Sequence, residues 1–109
     1  MLESSSNFPS ESELLKTVLQ PLLEDFQYWF AKGRSLLETH ELDFLGVEQQ
    51  TALLERFKQA QQEVGVSQAL FAATGEQVGV DPSVMVSWHR LVTECWQVGK
   101  QFRREHQDI

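Results

Sequence analysis

Apolar residues recur every third or fourth position along three long stretches of this chain, the spacing that puts them on one face of a helix. In the first stretch Leu15, Val18, Leu19, Leu22, Leu23, Phe26, Trp29, Phe30, Leu36 and Leu37 fall within an arc of about 140° at the helical period. That predicts a helix from Ser10 to about Thr39, with Ser10-Glu11-Ser12-Glu13 as a capping box at its start. Pro21 lies inside the pattern, where it removes a backbone hydrogen bond and crowds the carbonyl of Thr17, so a kink or a break is expected there. The second stretch starts near Gly46-Val47-Glu48-Gln49 and ends at Gly75, a good left-handed C-terminal cap. Its stripe is Leu53, Phe57, Ala60, Val64, Ser67 and Phe71. The third has the strongest start: Asp81 as cap, Pro82 in the first helical position, and Val80 placed to staple onto Met85. Met85, Trp88, Leu91, Val92, Cys95, Trp96, Gly99 and Phe102 then run towards the C-terminus. No stretch alternates with period two for long enough to predict a strand.

Three helices of similar length with short links predict an all-α, antiparallel up-down-up bundle over residues 10–109, preceded by a mobile tail over residues 1–9. A break at Pro21 would raise the count to four around the same core. Phe26, Trp29, Phe30, Phe57, Phe71, Trp88, Trp96 and Phe102 make that core aromatic. Each such side chain stabilises the fold by roughly 2–3 kcal/mol when buried. Gly33 and Gly99 lie on the stripes, where glycine costs about 1 kcal/mol relative to alanine; the expected return is room for Trp29 or Trp96.

Composition narrows the function more than it defines it. The 109 residues are 41% hydrophobic and 23% charged, ordinary for one globular domain. Nine Lys and Arg against sixteen Asp and Glu leave a net charge of −7, which argues against nucleic acid as a partner. There is no apolar run long enough to span a membrane, and no secretory signal is expected at the N-terminus. The single cysteine, Cys95, excludes an intrachain disulfide and a multi-cysteine metal cage.

Candidate chemistry is sparse. Cys95 would need a nearby histidine or a helix N-terminus to become a nucleophile or an attachment point. His89 diverges from it round the helix, so a buried small hydrophobe is the expected role. His40, His89 and His106 form neither a Glu-x-x-His nor a His-Glu-x-x-His pair, and no metal site is expected. The glycines never cluster as a phosphate loop, and no acid, base and nucleophile can be placed on one face, so neither a cofactor nor catalysis is expected.

The surface offers more. Tyr28, Trp29 and Phe30 are consecutive and cannot all face one core, so Tyr28 points outward. Val66, Leu70 and Ala73 repeat on the side of the second helix opposite its core stripe, the pattern of a partner or homodimer surface. The competing expectation is that Phe8-Pro9 or the link 78–80 folds over that strip. Lys100, Arg103 and Arg104 form the one basic cluster, suited either to the helix dipole or to an acidic partner.

Residues 22–30 (LLEDFQYWF), 88–96 (WHRLVTECW), and 41–45 (ELDFL) followed by Glu48-Gln49-Gln50 resemble a family of short cyanobacterial proteins known only as a domain of unknown function. The likeness extends over roughly residues 12–104. It implies a cytoplasmic cyanobacterial protein and brings no activity, cofactor or site residue with it. Where that pattern leads one to expect a capping serine and a proline ahead of Glu48, this chain has Gly46-Val47, so a less firm start to the second helix is expected. Taken together, the residues point to a non-catalytic helical interaction module, an adaptor or assembly factor, with Tyr28, Val66, Leu70, Ala73, Lys100, Arg103 and Arg104 as candidate partner-binding residues. The alternative is a binder of a hydrophobic or pigment-like molecule among Trp29, Trp88, Trp96 and Cys95. An enzyme ranks third.

Overall fold

A computed structural model of the chain describes residues 11–74 and 80–107, with the side chains of 11–13, 15, 16 and 107 left aside. Three helices account for almost all of it: α1 (Glu11–Thr39), α2 (Val47–Thr74) and α3 (Pro82–Gln107). The tail, the Ser10–Glu13 capping box, the Leu15 side chain and the Gly75 cap lie outside the described residues. α1 continues through Pro21 as one element, so the fourfold count does not arise. The start of α1 lies outside the core's tightest part, and Pro21 itself is exposed.

The up-down-up order follows from which residues meet. Phe30 of α1 packs on Phe57 of α2, while Gln27, nearer the start of α1, reaches Gln61 and Gln68, so these two helices are antiparallel. Phe26, Trp29 and His40 of α1 meet Trp88, Trp96 and Phe102 of α3 in the same order, so those two are parallel. α1 is the helix that packs on both of the others. Polar side chains help to close the third seam: the Trp88 indole donates to Glu63 at 3.0 Å, and Arg56 forms a two-pronged pair with Glu94 at 2.9 and 2.6 Å. Both Arg56 and Glu94 are well exposed, which limits that pair to a fraction of a kcal/mol or so, about 0.2–1.

The core takes Leu19, Leu23, Phe26, Phe30 and Leu37 from α1, and Leu53, Phe57, Ala60, Val64 and Phe71 from α2. α3 adds Trp88, Leu91, Val92, Cys95 and Val98. Two apolar stripe residues stand exposed outside it. Val18 is 62% exposed, because α3 runs parallel to α1 and begins only at Pro82, close below Trp88; with Phe26 opposite Trp88, Val18 lies beyond its end. Trp96 is 46% exposed, since it sits at the edge of α3 and meets Trp29 edge-on at 5.6 Å instead of entering the centre. Ser67 is only half-buried. Conversely Val98, not counted on the expected stripe, is buried; it lies two turns beyond Leu91 on the same side of α3.

The link between α1 and α2 is held by one side chain. Gln50 donates its amide to the carbonyls of Leu37 and His40, at 2.9 and 2.6 Å, and accepts from the Leu42 amide at 2.9 Å. It thereby satisfies C-terminal carbonyls of α1 that have no intrahelical partner. Gly46, at φ +80°, makes the turn, and its carbonyl takes the Gln50 amide at 2.9 Å to open α2. The expected weak start is therefore braced from the side. At α3 the expected cap is present: Asp81 Oδ1 accepts from the Ser83 amide and hydroxyl at 2.9 and 2.8 Å, and Val80 and Met85 are both half-buried against the core.

Candidate functional site

Glycines of the two stripes are used in opposite ways. A Cβ added at Gly33 would lie 2.7 Å from Cζ of Phe57 and 3.1 Å from Sγ of Cys95, so its missing side chain is filled by α2 and α3. The neighbours are therefore Phe57 and Cys95, not the tryptophans expected from sequence. A Cβ at Gly99 would touch only the tip of the Arg103 side chain, at 3.4 Å. Nothing fills that space, and it opens into a cavity of about 410 Å³ between the C-terminal halves of α1 and α3.

Trp29 and Leu36 of α1 and Trp96 and Phe102 of α3 form the cavity's apolar walls, while Gly33, Cys95 and Gly99 leave its floor low. Its upper end carries an aromatic stack in which Phe102 lies 4.7 Å from the His40 ring and 3.9 Å from that of His106. At the lower end the rings of Tyr28, Trp29 and Trp96 run edge to face at 5.1 and 5.6 Å. Tyr28 and Trp96 are about half exposed there. Lys32 and Arg103 line the cavity as its cations, and Lys32 also sits 5.6 Å from the Tyr28 ring. The same seam continues downward into a shallower hollow of about 360 Å³, bordered by Leu22, Phe26, Met85, Val86, His89 and Arg90. Among the described residues no carboxylate lines either hollow.

The charges sort by face. Arg34, Arg56 and Lys58, which lie away from this seam, each pair with a glutamate. Lys32, Arg90, Lys100 and Arg103, on or beside it, and Arg104, on the outer side of α3, form no ion pair among the described residues. A chain of net charge −7 thus keeps most of these unneutralised cations next to its exposed aromatic rings.

Cys95 at the cavity floor is buried and donates its S–H to the Trp29 carbonyl at 3.3 Å. Burial pushes the thiol above its ordinary range, against weaker opposing effects from Lys32 and the Gly33 backbone. It sits as a small apolar wall with a protonated sulfur. Trp88, expected beside Trp29 and Trp96, lies elsewhere, 2% exposed and bonded to Glu63.

The seven candidate partner-binding residues are all exposed, yet they do not form one patch. Tyr28, Lys100 and Arg103 belong to the α1/α3 side, whereas Arg104 lies about 100° further round α3 than Arg103, on its outer side. Val66 borders a different hollow of about 710 Å³ between α2 and α3, together with Val84, Trp88, Glu55, Lys58 and Glu63. Leu70 and Ala73 follow Val66 on the same outer side of α2; residues 1–10 and 75–79, which could cover that strip, lie outside the described residues. Sequence reasoning missed Lys32, Leu36, His40 and the void at Gly99. The available signal was that Lys32 follows Tyr28 by one turn and Arg103 follows Trp96 by two, a cation beside an aromatic ring on each wall.

No helix among the described residues is long and apolar enough to cross a membrane. No described group of three or more His, Cys, Asp or Glu side chains could hold a metal ion. Neither the curated proteins nor the solved structures contain a match to this chain. A family model does match residues 9–104, nearly the whole sequence, and the chain belongs to that family, the protein of unknown function family DUF2605.

Proposed function

We propose that the chain is a non-catalytic binding module that engages another protein through the α1/α3 face. One observation carries this reading: half-exposed Trp96 and Tyr28 flank an apolar cavity of about 410 Å³ whose cations are unpaired among the described residues. Tryptophan, tyrosine and arginine are the residues that most often dominate binding energy at protein interfaces. The α2 strip of Val66, Leu70 and Ala73 has the apolar spacing, but the hollow beside it is lined mostly by polar and charged side chains, and its aromatic, Trp88, is buried. It is the secondary candidate surface, for a partner or for a second copy of the chain.

A photo-crosslinking side chain placed at position 96, and separately at position 70, tests the choice of face. Adducts to another protein from position 96, with few from position 70, are the expected result. Adducts from position 70 alone would refute it.

The alternative occupant is a hydrophobic or pigment-like small molecule. Trp29, Cys95 and Trp96 line a cavity whose volume lies within the roughly 300–1,000 Å³ of small-molecule sites. Visible absorption, or a native mass above 12.5 kDa, in protein purified without denaturation would favour it.

A further inference from the structure

We infer that the α1/α3 seam is built to receive an acidic amphipathic helix of a partner protein, laid along the groove with its apolar residues in the two hollows. The inference rests on the α1/α3 face being the working surface and goes on to name what occupies it.

Three features argue for a helix bearing several carboxylates. The first is the distribution of charge. Arg90, Lys100 and Arg103 are strung along about 20 Å of α3 at 1.5 Å per residue, and Lys32 lines the same seam from α1. One carboxylate would engage one or two of these, whereas glutamates on successive turns of a helix would engage the series. The overall charge of −7 repels an acidic partner at long range, so docking of one would depend on this local excess of cations.

The second feature is the spacing of the hollows. One is centred near His89 and the other near Gly99, about 15 Å apart along α3. Apolar residues eleven apart on a docking helix lie on one face at about that distance, with a third anchor between them to meet the Trp29–Trp96 ridge. The third feature is architectural. α1 and α3 are parallel neighbours with a furrow between them that no described residue fills, and a fourth helix there would complete a four-helix bundle.

The test uses the full chain and three probes: an acetylated, amidated peptide with leucines on one helical face and glutamates on its flanks, its glutamate-to-lysine counterpart, and decanoate as a free apolar carboxylate. Tryptophan emission follows binding, since Trp29 and Trp96 line the groove. The acidic peptide should bind saturably and weaken as salt is raised. Trp96→Ala and Arg103→Glu should each weaken it about tenfold or more, and both positions are exposed enough for the variants to keep native circular dichroism. Equal binding of the lysine counterpart, decanoate binding as tightly as the peptide, or no binding by the acidic peptide would each overturn the inference. So would light scattering that shows a dimer dissociated by Trp96→Ala, which would make a second copy the occupant. Failure of the peptide with continued crosslinking from position 96 would remove the acidic helix and leave the face standing.

Discussion

α1 meets its two neighbours in different ways, and a glycine marks each seam. Against α2, Gly33 lets the fully buried Phe57 ring approach to where a Cβ would stand, and polar side chains flank the contact: Gln27 to the Gln61 carbonyl at 3.0 Å, and Arg34 to the Gln61 side chain at 3.0 Å. Against α3, Gly99 faces space, and Trp96 and Trp29 are left partly in water. The same residue type thus serves closure in one place and an opening in the other. A glycine on an apolar stripe signals a missing side chain, and only the partner helix decides whether something else fills the gap. On the proposed function the contrast would also separate roles, with the α1/α2 seam closed for stability and the α1/α3 seam left open for a partner.

Substitutions at the two seams should therefore differ in size and in sign. Phe57→Ala removes a ring with no solvent exposure from the closed seam and should cost about 3–5 kcal/mol, read as a large fall in the urea midpoint. Gly33→Ala gains helix propensity of about 1 kcal/mol but forces a methyl group into the Phe57 ring, and overpacking of this kind costs roughly 1–3 kcal/mol. A net loss is expected, and Phe57→Leu in the Gly33→Ala background should recover part of it; strict additivity of the two changes would show that the contact is not the cause. Gln50→Ala strips the brace from the link and should cost about 1 kcal/mol, with amide exchange rising around Leu42 first.

In the open seam, Gly99→Ala should stabilise the fold by about 0.5–1 kcal/mol, because only the flexible tip of Arg103 has to move. The same methyl group should shrink the cavity and weaken binding in the groove. If Gly99→Ala destabilised the chain as Gly33→Ala does, the distinction between the two seams would fail.

The smallest effect lies outside both seams. The Ser83 backbone amide, and then its hydroxyl, hold the exposed Asp81 carboxyl below its ordinary value of about 4. A depressed carboxyl contributes stability that is present above its unfolded-state value and lost as pH falls through the folded one. Asp81→Asn keeps a cap that does not titrate, so it should flatten this acid limb while leaving neutral-pH stability nearly unchanged. An unaltered acid limb in pH-dependent urea titrations would trace the loss to another group.

Much of the fold was legible because helix-forming patterns are local. The α2 stripe was almost complete from spacing alone, and Asp81-Pro82 located the start of α3 to the residue. Val18 and Trp96 were misplaced for one reason: periodicity gives the side of a helix, while burial depends on where the neighbouring helix begins and how far round it reaches. The site was less legible. Tyr28 and the basic run on α3 could be picked out as surface features, yet nothing in their spacing revealed that Lys32 and Gly99 join them, or that Val66 and Leu70 lie on another side.

Sequence alone determined the three helices, the Asp81 cap of α3 and most of the apolar face of each helix, because hydrogen bonds within four residues and a repeat of 3.6 are properties of the chain segment itself. Tertiary structure alone decided which glycine became a contact and which a cavity, and that Arg56 meets Glu94 across two helices. Those outcomes depend on distances between residues far apart in sequence, set by the stagger and spacing of whole helices, and no local pattern encodes them.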